Sequence, residues 1–204
     1  MKIICVGRNY AAHIREMQAE KPQHPVLFLK PETSVLLKNQ PFFIPDFSDE
    51  VHHEVEVLIK INRLGKHIQP EFAAKYYEDI GLGIDFTARD LQSELKKKGL
   101  PWEKAKAFDG AAVIGRKWIK KTALPDLNNL HFELKKNGTP VQKGDTALML
   151  WKIDELISYI SQYFTLKIGD IIFTGTPAGV GKVEKEDVLE GFLQDQSIFK
   201  IKVK

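Results

Sequence analysis

The stretch VHHEVEVLIK, residues 51–60, sets the expectation for the fold because its side chains alternate in character. Val55 and Val57 fall on one side of an extended chain. Glu54 and Glu56 fall on the other side. Because successive side chains of a strand point to opposite faces, this pattern predicts a half-buried β-strand. The two neighbouring carboxylates leave two alternatives open: their face meets water, or it binds something positively charged.

Length and composition predict a soluble globular protein with one domain over residues 1–204. The chain has 204 residues, 43% of them hydrophobic and 28% charged, and it has no internal repeat or low-complexity linker. A formal charge of +3 is weak support for a polyanionic partner. The lysine clusters are scattered and are interpreted as solvated surface, so we expect no nucleic-acid partner. They lie at Lys96–Lys98, Lys120–Lys121 and Lys135–Lys136.

The compartment is predicted from the single cysteine and from the hydropathy pattern. Cys5 lies in the apolar run KIICVG, which favours a buried thiol in a reducing compartment. No apolar stretch approaches the ~18 residues of a membrane span, and Met1 opens into a predicted strand without a signal peptide. We therefore expect a cytoplasmic protein without a membrane partner.

Hydrophobic periodicity predicts more strands than helices. Helices are expected at residues 8–18, 69–80, 87–99 and 152–164, the third capped by Thr87. Strands are expected from the alternating or continuous apolar runs, and a hairpin from the Asn137-Gly138 turn. The pattern favours an α+β, mostly β domain, and the lack of regular βαβ alternation argues against a doubly wound sheet. The main strand segments are 2–7, 26–31, 55–61, 80–87, 131–142, 170–174 and 197–204.

A third carboxylate strengthens the case for a cation site. Glu54 and Glu56 are two residues apart, about 6.6 Å along one strand face. Asp85 occupies the face of another predicted strand that otherwise carries Gly81 and Gly83. Such glycines allow a ligand or another chain to approach closely. If the two strands pair, three oxygen ligands of the kind preferred by Mg²⁺, Mn²⁺ or Ca²⁺ come together.

Other candidate residues carry weak signals by themselves. His13 and Glu16 are three apart on a predicted helix, so they share a face and can hydrogen-bond, although an exposed pair is the commoner case. Lys106 is a surface lysine by default. The loop TGTPAGVGK has Thr176 where a Walker loop needs glycine and Val183 where it needs Ser or Thr. Nucleotide binding is therefore only a minor alternative.

Six segments, taken in order, resemble the successive blocks of the fumarylacetoacetate hydrolase family. They cover most of the chain, from residue 5 to about residue 181. The similarity is greatest to the short, single-domain branch of acylpyruvases and oxaloacetate decarboxylases. The segments are GRNYAAHIREM, PVLFLKP, HHEVEV, GIDFTARDLQ, KKKGLPWEKAKAFD and GDIIFTGTPAGVG.

The resemblance implies a mixed β-roll fold, a homodimer and a set of site residues. Glu54, Glu56 and Asp85 match the family's Mg²⁺ or Mn²⁺ ligands. His13 and Glu16 match a water-activating pair on a lid. Lys106 and Gln92 match positions that stabilise a developing enolate or oxyanion. The positions that match blocks surrounding the substrate are Arg8, Lys30, Arg89 and Thr176.

The resemblance also implies a reaction. We expect a metal-dependent hydrolase that cleaves the C–C bond of acylpyruvates or related short 2-keto or β-dicarbonyl acids through an enolate. The alternatives are an oxaloacetate decarboxylase and a 2-hydroxy-dienoate isomerase or hydratase. A non-catalytic ligand-binding homologue is the remote alternative from another class.

Overall fold

A computed structural model describes residues 1–204 and has the predicted α+β, mostly β architecture. The helices are Ala11–Glu16 (α1), Pro70–Ala73 (α2), Arg89–Lys97 (α3), Glu103–Lys106 (α4) and Ile153–Tyr163 (α5). The strands are Ile3–Gly7 (β1), Val26–Lys30 (β2), Val51–His53 (β3), Val55–Ile61 (β4), Tyr77–Asp85 (β5), Thr87–Ala88 (β6), Ala112–Ile114 (β7), Ile119–Lys120 (β8), His131–Lys136 (β9), Thr139–Asp145 (β10), Ile171–Phe173 (β11), Gly181–Lys182 (β12), Val188–Leu193 (β13) and Gln196–Lys202 (β14).

The largest sheet has seven strands and contains β4, which carries most of the alternating stretch. Its order is β2-β1-β11-β4-β5-β7, with β8 also paired to β5. Strands β4 and β5 are antiparallel neighbours, with Glu56 opposite Gly83. The strand pairing required to bring the three carboxylates together is therefore confirmed.

Two smaller sheets complete the architecture. The four-stranded sheet has the order β10-β9-β13-β14, and its first hairpin turns at Asn137-Gly138, as predicted. The three-stranded sheet, β12-β3-β6, lies at the ends of the strands that carry the carboxylates. A core of 35 buried residues includes the Val55 and Val57 face of β4, the inner residues of α5 and those of the four-stranded sheet.

The prediction of a half-buried strand is wrong, because β4 is buried on both faces. Glu54 and Glu56 are 5% and 2% exposed, and Leu58, next on their face, is 0% exposed. Leu58 packs with Cys5 and Phe173 in a second apolar cluster. The acidic face therefore does not meet water.

Two helix predictions also need correction. The predicted helix 69–80 stops after α2 and one 3₁₀ turn, because Tyr77 pairs with Ile61 and begins β5. Strand pairing overrides the helical spacing there. Thr87 does not cap α3, since it lies in β6 opposite His52, and the N-cap position is Ala88.

The glycines of β5 accommodate the protein's own chain. A Cβ atom on Gly83 would lie 2.1 Å from the carbonyl oxygen of Val113, and one on Gly81 would lie 2.8 Å from the Trp118 ring. These glycines therefore permit close packing by neighbouring segments. None of the helices has the length and apolar character required to cross a bilayer.

Candidate active site

Three buried carboxylates converge at one end of the seven-stranded sheet. Glu54 occupies the break between β3 and β4, Glu56 follows two residues later, and Asp85 ends β5. One carboxylate oxygen from each residue lies within 4.8 Å of one oxygen from each of the other two. Asp85 is 0% exposed. The sheet therefore brings together the three oxygen donors that the sequence pattern suggested.

Lys106 lies directly between two of these carboxylates. Its Nζ donates to Glu54 Oε2 at 2.8 Å and to Asp85 Oδ2 at 2.8 Å, and to the Thr87 hydroxyl oxygen at 2.6 Å. Burial favours the neutral amine, but Asp85 and Glu54 outweigh it and raise the pKa of Lys106. Lys106 is therefore a buried ammonium and not the surface lysine expected by default.

Two more cations flank the same carboxylates. Arg89 donates through Nη2 to Glu54 Oε1. Lys30 places its Nζ 2.6 Å from Asp85 Oδ1 and also donates to the carbonyl oxygens of Lys106 and Ala111. Burial opposes ionisation of Glu54, yet Lys106 and then Arg89 hold its pKa well below the usual range. The acidic face of β4 thus meets positive charge.

Glu56 differs from its neighbours because it has no side-chain cation as a partner. Its Oε2 accepts the backbone N–H of Gly175 at 2.7 Å. Burial first, and then repulsion from Asp85 and Glu54, raises the pKa of Glu56 well above its ordinary value. A buried carboxylate in this setting favours a further cation nearby. The donor set therefore fits a hard divalent metal such as Mg²⁺ or Mn²⁺.

The predicted His13–Glu16 contact is formed on α1. His13 Nδ1 lies 3.0 Å from Glu16 Oε2, and Glu16 Oε1 accepts the backbone N–H of Gly179 at 2.9 Å. An ionised carboxylate only accepts hydrogen bonds, so Nδ1 is the donor in this contact, and a neutral His13 ring has its lone pair on Nε2. The second bond ties α1 to the loop that follows β11.

Helix α3 supplies a row of polar side chains, Arg89, Gln92 and Lys96. Gln92 Oε1 accepts from Arg89 Nη1 at 2.7 Å and from Lys96 Nζ at 3.2 Å. These bonds leave the Gln92 Nε2 donor without a protein partner. The lysine triplet alone indicates a surface position for Lys96. Its spacing of four from Gln92 and seven from Arg89 is the signal that places it on the same helix face.

Thr176 is held in place by main-chain and side-chain bonds. Its hydroxyl donates to the Val55 carbonyl at 2.9 Å and accepts from Gln142 Nε2 at 2.9 Å. Gln142 Oε1 in turn accepts the Val55 N–H at 3.0 Å and contacts His53 Nδ1. The sequence gives no signal for Gln142, because this residue comes from the separate four-stranded sheet.

These groups surround one small cavity with a volume of about 40 Å³. Nine of the eleven predicted site residues line it. Glu16 lies behind His13, and Lys30 lies behind Asp85 and Lys106. The lining side chains from the prediction are Arg8, His13, Glu54, Glu56, Asp85, Arg89, Gln92, Lys106 and Thr176.

Sequence comparison identifies the family of this site. The family model described as fumarylacetoacetate (FAA) hydrolase C-terminal matches residues 2–204. The chain belongs to the fumarylacetoacetate hydrolase family. The resemblance noted from the six segments is thereby confirmed.

Curated relatives of the family are similar over nearly the whole chain. The mitochondrial oxaloacetate tautomerase FAHD1 of Bos taurus is 42% identical, over 98% of this chain and 90% of its own length. The oxaloacetate tautomerase YcgM of Escherichia coli K12 is 44% identical, over 92% of this chain and 86% of its own length.

A solved structure of the family confirms the fold type. Fumarylpyruvate hydrolase from Pseudomonas aeruginosa, in complex with Mn²⁺ and pyruvate, superposes with a TM-score of 0.93 at 33% identity. The match covers 100% of this chain and 89% of that one. The mixed β-roll implied by the resemblance is therefore correct.

Proposed function

We propose that residues 1–204 form one catalytic domain that uses Mg²⁺ or Mn²⁺ to convert short 2-keto acids through an enolate. The observation that carries this proposal is the convergence of Glu54, Glu56 and Asp85 on a cavity that also contains Lys106 and His13. Enolate chemistry needs a Lewis acid, a cationic donor and a base within reach of one small molecule. This cavity supplies candidates for all three.

The carboxylate cluster is the proposed metal site. Glu54, Glu56 and Asp85 would hold the ion, and the Mn²⁺ complex of the related fumarylpyruvate hydrolase supports this assignment. When bound, the ion would supply Lewis-acid stabilisation of negative charge on the 2-keto oxygen. Three nearby cations reduce the net negative charge of the cluster, so affinity for the ion should rise when an anionic substrate binds with it.

Hydrogen-bond donors beside the carboxylates are proposed to stabilise the same developing charge. Lys106 is a buried ammonium, and Gln92 Nε2 is an amide donor without a protein partner. Donors held in a buried site stabilise charge without reorganising during the reaction. Arg89 and Lys30 are proposed to hold Glu54 and Asp85 in place, while Arg8 and Thr176 contact the substrate.

His13 is the proposed base. With Nδ1–H directed at Glu16, the Nε2 lone pair is available to take a proton from water or from the carbon next to the keto group. The Glu16 bond to Gly179 holds α1 over the cavity, and we propose that this bond opens to admit a keto acid and re-forms on closure.

Three reactions share this chemistry, and two of them are supported by different observations. Keto–enol interconversion of oxaloacetate is favoured by the names of relatives that are 42% and 44% identical. Hydrolysis of an acylpyruvate is favoured by the His13–Glu16 pair and by the fumarylpyruvate hydrolase structure. Decarboxylation of oxaloacetate would use the same enolate without an attacking water.

Direct assays on both substrates test the proposal. The purified protein should accelerate loss of the enol of oxaloacetate, hydrolysis of acetylpyruvate, or both, when Mg²⁺ or Mn²⁺ is present. EDTA should abolish the activity, and added metal should restore it. If metal-loaded protein with native circular dichroism accelerates neither reaction, the proposed function is wrong.

A homodimer is proposed from exposed apolar side chains. Leu37, Phe43 and Phe47 are 72%, 64% and 55% exposed, and Leu37 lines a groove together with Trp118 and Ile201. Burial of such a surface by a second copy would remove apolar area from water. Light scattering at micromolar concentration should give about twice the chain mass of 23.2 kDa. The chain mass itself would contradict the dimer.

A cytoplasmic location is proposed on the evidence of the thiol. Cys5 is 0% exposed in β1, and burial raises its pKa well above the ordinary value. An inert buried thiol suits a reducing compartment. Cell fractionation tests this location, and recovery of the protein in an organelle would contradict it.

A further inference from the structure

The end of the cavity away from the carboxylates is positively charged. Arg8 and Lys96 both line it, and neither makes an ion pair with a carboxylate, whereas Arg89 is paired with Glu54. Charged side chains that line a cavity without a partner favour an oppositely charged ligand. This end of the cavity therefore suits an anion.

The fold restrains the Lys96 side chain and sets an unusual backbone conformation at Arg8. Arg8 follows β1 with φ +59, a left-handed conformation that is unfavourable for a residue with a Cβ atom. Lys96 Nζ donates to Gln92 Oε1 at 3.2 Å and lies 5.1 Å from the centre of the Trp102 ring. The row Arg89, Gln92 and Lys96 leads outward from Glu54 along α3.

The charges around Lys96 are mostly of its own sign. Its pKa is lowered to about 8 by partial burial first, and then by repulsion from Arg89, Arg8 and Lys106, against the weaker attraction of Glu54. An anion placed between Arg8 and Lys96 would relieve this repulsion. No carboxylate that lines the cavity makes an ion pair with Arg8 or Lys96.

We propose that Lys96 is a specificity-determining residue that, together with Arg8, binds a second carboxylate at the end of the substrate remote from Glu54, Glu56 and Asp85. This inference rests on the proposed function and narrows its substrate class to short 2-keto dicarboxylic acids. A substrate held at both ends would have its 2-keto group fixed beside Lys106 and its other end fixed at α3.

A matched pair of substrates tests the role of Lys96. Oxaloacetate and acetylpyruvate differ at their distal end, where one has a carboxylate and the other an acetyl group. Lys96→Gln should lower kcat/KM about tenfold more for oxaloacetate than for acetylpyruvate, and the loss should appear in KM. A hydrogen bond to a charged group contributes a free energy of this size. Lys96→Arg should restore most of the loss. Lys97→Gln, an exposed neighbour outside the cavity, is the control.

A binding measurement separates this inference from the proposed reaction. Malate and 2-hydroxybutyrate differ by the same distal carboxylate, and both carry the 2-hydroxy acid group that can chelate a metal. Calorimetry on Mg²⁺-loaded protein should give tighter binding of malate in the wild type and a loss of that preference in Lys96→Gln. If Lys96→Gln weakens the binding of both ligands equally, or of neither ligand, the inference is overturned. A Lys96-dependent preference without any turnover would instead overturn only the proposed reaction.

Discussion

The backbone N–H of Asp85 donates to the backbone carbonyl of Glu54 at 2.9 Å, so two of the three clustered carboxylates are joined through their main chains. Glu56 stands in the same pair of strands, opposite Gly83. The separation of the three side chains is therefore set by the pairing of β4 and β5. Sites built on strands hold their geometry more precisely than sites on loops.

Glu56→Gln should separate metal binding from stability. Without metal, the variant should be at least as stable as the wild type, because the substitution removes a buried charge that repels Glu54 and Asp85. With Mn²⁺, the wild type should gain stability by mass action and the variant should gain far less. Thermal melting against Mn²⁺ concentration, with and without EDTA, measures both effects.

The control for this prediction is Glu78→Gln, whose side chain is 59% exposed. It should retain the wild-type response to Mn²⁺. If Glu56→Gln responds to Mn²⁺ as the wild type does, the assignment of Glu56 to the metal site is wrong.

His13→Ala should affect hydrolysis more than decarboxylation. Hydrolysis of acetylpyruvate needs a base for water, and general base catalysis contributes about 10²–10⁴ in rate. Decarboxylation of oxaloacetate needs no attacking water, so its loss should be smaller. Measured kcat/KM for both substrates with excess Mg²⁺ makes the comparison, and Arg15→Ala, exposed on the same helix, is the control. An equal loss on both substrates would mean that His13 acts through closure of α1.

Gly175→Ala should weaken both the fold and the site. Gly175 has φ +103, and an added Cβ atom would lie 2.7 Å from Asn9 Cβ. Overpacking of this kind costs about 1–3 kcal/mol, and it should displace the N–H that donates to Glu56. Gly138→Ala is the matched control, since φ is +82 there and the space around it is open. Urea denaturation and Mn²⁺ binding give the two readouts, and equal behaviour of the two variants would contradict the prediction.

The pKa of Lys96, lowered to about 8, predicts a pH dependence for dicarboxylic substrates. The ammonium is present below this pKa and is lost as the pH rises through it. The KM for oxaloacetate should therefore rise above about pH 8, by up to about tenfold, while the KM for acetylpyruvate changes less. The pH profile of kcat/KM reports groups of the free enzyme. If the KM of Lys96→Gln for oxaloacetate rises with pH in the same way, another group causes the pH dependence.

Asp170→Asn should destabilise the protein in a pH-dependent manner. Burial opposes ionisation of Asp170, but hydrogen bonds from Lys2 and from the Lys167 N–H outweigh it and lower its pKa. A lowered carboxylate pKa contributes stability above the unfolded value of about 3.9, and that stability is lost as the pH falls through the folded pKa. At pH 7 the variant should lose about 1–3 kcal/mol in urea unfolding.

The difference should shrink as the pH falls below about 4, because the unfolded carboxylate takes up a proton first and the folded one does so at its lower pKa. Asp46→Asn, at an exposed position, is the control. A constant difference between pH 7 and pH 3 would show that the charge of Asp170 contributes nothing.

The sequence by itself determined the elements that depend on near neighbours in the chain. The alternation of Val55 and Val57, the turn at Asn137-Gly138 and the apolar stripe of α5 all appear in the structure. The contact of His13 with Glu16 also follows from spacing, because residues three apart on a helix are adjacent. These features need only local geometry. The resemblance to a family supplied the remaining site residues.

Only the tertiary structure decided which charges meet and which strand faces are buried. Lys106 bonds to Glu54 and Asp85 across 52 and 21 residues of chain, and no periodicity encodes such a contact. Lys96 is exposed, as its triplet indicates, but its place at the rim of the cavity depends on the packing of α3. Tyr77 is in a strand because its partner Ile61 is in one. The physical reason is that burial and charge pairing depend on which distant segments pack together. Contacts between residues far apart in the chain cannot be predicted from the local sequence pattern.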